Sequence, residues 1–192
     1  LSLYSYYEKE FHQLDLLGSF RTGYLLINPE RENMSFSNID NEEVINRNFI
    51  YFSSSIGIRK FINKFQINTW IMNTMRAPEI EELYSDGPHL GSYSYEIGEP
   101  HLKLEKIFGI ESSIAYRANA LNIALTGFYN YSPYYYQMSK MGECEDEFVV
   151  GASHPCAGAD YIEWGSGPSG WLYKYQTKGI ESLIKGLEFN FS

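Results

Sequence analysis

The chain has 192 residues, a formal net charge of -9, and 17% aromatic residues, 17 of them tyrosine. This acidity excludes nucleic acid as a partner, because phosphate binding needs a basic surface. No uninterrupted apolar run approaches the roughly 20 residues of a membrane helix, but the mean hydropathy of -0.33 leaves a membrane barrel open, since its strands place apolar residues only at every second position.

Period-two alternation recurs along the chain and predicts about seven strands. Residues 1–8 read as a strand incomplete at its start, with no basic leader or cleavage site before it, so the expectation is a fragment of a larger protein. In Leu14–Ile27, Leu16, Phe20, Tyr24 and Leu26 oppose Ser19, Arg21 and Gly23. In residues 47–59, Ile50, Phe52, Ile56 and Ile58 oppose Arg47, Tyr51, Ser53, Ser55 and Arg59, and Phe49 breaks the pattern. In residues 64–76, Phe65, Ile67, Thr69 and Ile71 oppose Gln66, Asn68 and Trp70. In residues 103–117, Leu104, Phe108, Ile110, Ile114 and Tyr116 form the apolar face, interrupted by Lys106. Residues 121–131 and 183–191 complete the set, the last with Leu187, Phe189 and Phe191 against Gly186, Glu188 and Asn190.

The connections alternate. Short ones fall near residues 9–13, 60–63 and 117–120; long ones near 28–46, 77–102 and 134–177. In a meander this puts every tight turn at one rim and every long loop at the other, as in transmembrane barrels. Several strands exceed ten residues, beyond the usual globular length and enough for a tilted bilayer span. Their second face carries Arg, Glu, Gln, Asn, Ser and Gly. An apolar face toward lipid and a polar face toward a wet lumen fit this pattern. The fold class expected is therefore all-β: a partial, antiparallel up-and-down transmembrane β-barrel. A small complete barrel acting as an adhesin or structural protein is one rival, and a soluble β-sandwich binding module is another.

The loop after the fourth strand carries the most specific signal. It reads Arg76-Ala77-Pro78-Glu79-Ile80-Glu81-Glu82-Leu83-Tyr84, then Asp86-Gly87-Pro88-His89, then Glu96-Ile97-Gly98 and Leu102 to Glu105. Pro78 fixes φ where the strand ends, residues 80–84 have room for one helical turn, and Asp86-Gly87-Pro88 reads as a turn in which Gly87 permits positive φ. In order and spacing this loop resembles the arginine-alanine-proline, glutamate-glutamate-leucine-tyrosine, glycine-proline-histidine loop of TonB-dependent outer-membrane receptors. Glu79 departs from the small polar residue that many members carry there. The resemblance implies a barrel of roughly 22 strands with a plugged lumen, of which residues 1–192 are part of the β-barrel domain, with the plug domain absent. It implies active uptake of a scarce nutrient such as a metal or metal–siderophore chelate across the cell outer membrane, contact with outer-membrane lipid, and energy from the TonB complex through the plug. It implies neither an enzyme nor a bound cofactor.

Asp86, His89, Glu96, His101 and His154 are candidate ligand-binding residues, since imidazole and carboxylate suit divalent zinc, nickel or copper; a loop scaffold with backbone-bonded histidines is the alternative. Cys144 and Cys156, flanked by Glu143, Glu145, Asp146 and Glu147, suit a disulfide in an exported protein, worth about 3 kcal/mol in the chain-entropy account. A Cys/His metal site with His154 is the sharper reading of the same residues. Tyr129, Tyr131, Tyr134, Tyr135 and Tyr136, with Trp164 and Trp171, suit interfacial anchoring. The glycine-rich run from Gly165 to Gly170 lacks the Lys-Ser/Thr of a phosphate loop and reads as a loop tip. No nucleophile–base pair and no carboxylate pair stands in a catalytic setting.

Overall fold

The computed structural model describes residues 1–30, 37–89, 91–118, 121–147, 154–164 and 170–191. It is one sheet. Seven long strands form an antiparallel meander in the order β1 (Ser2–Phe11), β2 (Leu14–Ile27), β3 (Arg47–Ile62), β4 (Phe65–Arg76), β7 (Glu105–Ala118), β8 (Leu121–Lys140) and β10 (Trp171–Phe191). Between β4 and β7 the chain makes a single helical turn, α1 (Ile80–Tyr84), and a small hairpin, β5 (Asp86–His89) and β6 (Ser94–Ile97). A short strand, β9 (Ile162–Trp164), pairs with the start of β10.

Two-residue connections join β1 to β2 and β3 to β4. His12 and Asn63 open them with φ of 50° and 53°, the left-handed region that tight hairpins require. β7 and β8 pair down to Ala118 and Leu121, so the three short connections share one end of the sheet. Asn119 and Ala120, within the third expected turn, lie outside the described residues, as do residues 165–169 of the glycine-rich run.

Cross-strand register lines up the apolar positions. Ile56 pairs with Ile71, Ile71 with Ile110, and Ile110 with Tyr129; Ile67 pairs with Ile114, and Ile114 with Leu125. This face is exposed: Ile50, Ile56, Ile71 and Leu187 all lie open over more than 60% of their surface. A water-soluble sheet does not leave so broad an apolar face uncovered, whereas lipid covers it at no cost. Among the described residues every strand belongs to this one sheet and no second layer covers it, so the β-sandwich alternative is overturned. Among the described residues β1 pairs only with β2, so these strands form an open wall rather than a closed small barrel.

The other face is polar and internally bonded. Arg59 reaches Asp15 at 3.3 Å and Glu8 at 3.5 Å. Ser19 and Ser55 hydroxyls meet at 2.8 Å, and the Asn68 amide donates to Ser113 at 3.0 Å. Gly57 lies under the Trp70 ring, where a Cβ would come within 2.4 Å of a ring carbon; the glycine lets the indole lie flat across its neighbour strand.

Three expectations need correction. β8 runs to Lys140 and β10 begins at Trp171, so the last loop is shorter than residues 134–177: the polar and aromatic residues there pair as strand although they lack apolar alternation. Asp86-Gly87-Pro88 is not a turn but strand β5, paired to β6 from Asp86–Ile97 to His89–Ser94, and Gly87 is not among the positive-φ residues. Phe49 does not interrupt the lipid face; it points to the polar side and is buried beneath the 77–102 loop.

Candidate functional site

The loop end of the wall holds the only sizeable apolar cluster among the described residues. Ile27 and Phe49, from the ends of β2 and β3, meet Ala77, Leu83, Leu102 and Tyr136. Leu83 and Leu102 are fully buried. Pro78 and α1 fold the loop back over the polar face, and the burial of Leu83 holds it there.

Charged members of the same motif lock the loop from beneath. The Arg76 guanidinium donates through both Nη atoms to the Glu82 carboxylate, at 2.8 and 2.9 Å, and through Nε to Glu105 at 2.8 Å. Its plane lies over the Tyr136 ring at 4.6 Å. Glu82 also accepts from the Glu79 backbone N–H at 2.9 Å, closing the start of α1. Glu105 accepts from the Tyr136 N–H at 3.0 Å, and the Tyr136 hydroxyl bonds the Lys103 carbonyl. Such forked, charge-assisted bonds are the strong ones. Gly98 is needed for close approach: a Cβ there would sit 2.4 Å from the Leu83 carbonyl carbon, and its N–H donates to Ser85 O at 2.7 Å. Arg76, Ala77, Pro78, Glu82, Leu83, Gly98, Leu102 and Glu105 thus form a scaffold. Tyr136, which completes it, carries no signal of its own in the sequence, where it is the third tyrosine of a run.

A second network ties the loops to one another. Asp86 accepts from Ser37 Oγ at 2.7 Å, from Asn38 N at 2.6 Å, from Asn38 Nδ2 at 2.8 Å and from the Tyr95 hydroxyl at 2.9 Å. Lys174 of β10, almost wholly buried, reaches Asn38 Oδ1 at 2.7 Å and Glu163 at 3.2 Å. Burial alone would raise the Asp86 carboxyl, but its hydrogen bonds from Asn38, Ser37 and Tyr95 outweigh burial and hold it below the usual carboxylate range. Burial, then the bond to Asp86 and its charge, push the Tyr95 phenol up. The Tyr84 hydroxyl donates to Ile45 O at 2.7 Å and Arg47 to Leu102 O at 2.9 Å, so residues 37–47 are held against the motif loop. Between them opens a cleft of about 370 Å³, lined by Ile39, Val44, Ile80, Glu81, Tyr84 and Asp86 among others.

The five candidate ligand residues do not converge on one point. His89 Nδ1 lies 2.7 Å from Ser92 Oγ and 3.7 Å from Glu96 Oε1 at the hairpin tip. His101 faces Glu43 at 3.3 Å. Asp86 is engaged by its four donors. His154 stands apart in the last loop, beside a Cys144–Cys156 disulfide, with its ring 6.0 Å from Trp171 and 6.1 Å from Tyr173. Gly87 and Pro88 carry β5, and exposed Glu81 lines the cleft.

No protein-family model and no curated protein sequence matches the chain. Its fold does match solved structures. It aligns with a double mutant of the Serratia marcescens hemophore receptor HasR, in complex with its hemophore HasA and heme, at 13% identity and a TM-score of 0.62, covering 99% of this chain and 31% of that one. It aligns with the copper transporter OprC at 13% identity and a TM-score of 0.67, covering 98% and 25%. The siderophore receptor PirA from Pseudomonas aeruginosa aligns at 15% identity and a TM-score of 0.58, covering 99% and 30%. The chain therefore has the fold of a segment of a TonB-dependent receptor barrel. It spans between a quarter and a third of the length of these structures.

Proposed function

We propose that this chain is part of the barrel domain of an outer-membrane receptor that takes up a scarce nutrient, a metal or a metal chelate, with energy supplied by the TonB complex through a plug domain. The observation that carries the reading is the pairing of a lipid-suited wall with a latched rim: apolar positions aligned across β3, β4, β7 and β8, and a loop fixed over the polar face by Leu83 and the Arg76–Glu82–Glu105 network. The fold likeness to receptors and a transporter whose names specify heme, copper and siderophore supports the cargo class. The wall holds the rim rigid against the membrane, and the cleft beside Tyr84 and Asp86 gives a ligand a concave, partly polar surface to enter.

A strain lacking the gene tests this directly. Uptake of radiolabelled heme, copper and a ferric siderophore is measured in the parent, the deletion, and a strain without TonB. The expected result is loss of one cargo's uptake in both mutants. Unchanged uptake of all three in the deletion strain would sink the reading.

A further inference from the structure

Among the described residues, one group of three metal-ligating side chains gathers at a point. Cys144, His154 and Cys156 bring their donor atoms within 4.8 Å of one another, each half-buried. They sit on the loop between β8 and β10. We propose that this cluster is a redox-gated site for a thiophilic d10 cation, Cu(I) or Zn(II): closed while Cys144 and Cys156 are bonded, open once they are reduced.

The closed form removes both sulfur donors and ties up one nitrogen of the imidazole. The cysteine sulfurs share a covalent bond, and a disulfide sulfur is a poor ligand because the thiolate is the ligating form. The His154 Nδ1 lone pair accepts the Cys156 backbone N–H at 3.1 Å. Opening follows from thiol–disulfide exchange. A small dithiol attacks one sulfur, the Sγ–Sγ bond breaks, and two electrons and two protons pass to the cysteines while the dithiol becomes a disulfide. The two thiols then yield their protons to solvent as the cation binds. Metal–sulfur and metal–nitrogen bonds of about 2.3 and 2.0 Å need the freed sulfurs to part and the imidazole to close in by an ångström or so, a movement within reach of side chains already this near. Two thiolates and one imidazole suit soft or borderline cations over magnesium or calcium.

The surroundings favour a cation. Glu143, Glu145, Asp146 and Glu147 flank Cys144 in sequence. Trp171 and Tyr173 wall the imidazole on the other side, and Tyr161 stacks on Tyr173 at 6.5 Å. Lys140 is turned onto the Tyr173 ring at 3.7 Å and also pairs with Glu143 at 3.5 Å, so the carboxylates that favour a cation are Glu145, Asp146 and Glu147. The proposal does not rest on the transport reading, since a barrel that carries nothing would still bind metal here.

The test uses the purified protein in detergent, oxidised or reduced with a non-coordinating phosphine, titrated with Zn(II) or Cu(I) against a chromophoric chelator. The expected result is one equivalent bound after reduction and none before, abolished in the Cys144→Ser/Cys156→Ser double variant and weakened at least tenfold in His154→Gln. Cobalt(II) gives a second readout: a thiolate-to-cobalt charge-transfer band in the reduced protein alone. His154→Gln keeps the disulfide, so its oxidised form reports folding separately from metal. Equal binding by the oxidised and reduced protein, or undiminished binding by the double variant, would overturn the proposal. Loss of cargo uptake in the deletion strain bears only on the transport reading.

Discussion

The wall and the rim are stabilised by different physics, although one sheet runs through both. In the wall, order comes from backbone ladders that no single side chain controls, and the exposed apolar face suits lipid. In the rim, a few side chains do most of the work: Leu83 and Leu102 fill a small core, and Arg76, Glu82, Glu105 and Tyr136 satisfy one another beneath it. The lesson is that the wall tolerates change where polarity is kept, while the rim depends on individual contacts.

The sharpest way to separate the two regions is Leu83→Ala. It removes a fully buried side chain and is expected to cost the rim about 2–5 kcal/mol. Hydrogen exchange should rise across residues 77–102 and leave β3, β4 and β7 protected. Equal exposure of the wall would show that the regions are one cooperative unit. In the other direction, Ile110→Lys places a charge on the lipid face and is expected to destabilise the inserted barrel by about 2–4 kcal/mol if that position lies near the bilayer midplane. Ser113→Ala on the polar face should change the same folding titration by less than about 1 kcal/mol. Matching effects of the two would break the assignment of faces.

Arg76→Gln is expected to cost less, about 1–2 kcal/mol, because the guanidinium is still 39% exposed. Faster proteolysis within residues 77–102 checks it, and adding Glu82→Gln should cause little further change if the two act as a pair. The smallest effect concerns pH. The Asp86 carboxyl is held below its ordinary value, so its contribution is fully present above the unfolded carboxylate pKa, near 3.9, and is lost as pH falls through the depressed folded value. The 37–39 segment should loosen only below about pH 4, seen as acid-dependent exchange, and Asp86→Asn should flatten that dependence.

Much of the wall was legible in the sequence, because side chains of period two in long strands report directly which face each residue takes. The helical turn at residues 80–84 was legible as one short turn after the strand ends at Pro78. The rim was legible only in part. Phe49 read as a break in alternation because its burial depends on a loop that folds back from about 30 residues later in the chain. β5 was hidden because Asp-Gly-Pro is turn chemistry locally, and pairing with β6 overrides it. Asn38, Tyr95 and Lys174 carry no local pattern; only the approach of two loops and the start of β10 gives them their roles. The histidines were legible as donors, but sequence spacing did not tell that His89, His101 and His154 lie at separate points.

The central claim is that one face of these strands meets lipid and the other a wet interior. Spin labels placed singly along β7 from Phe108 to Tyr116, in the protein reconstituted in bilayers, test it most directly. The account predicts alternation: labels at 108, 110, 112, 114 and 116 accessible to oxygen, and those at 109, 111, 113 and 115 accessible to a water-soluble nickel chelate. Uniform access to the chelate at all nine positions would contradict it.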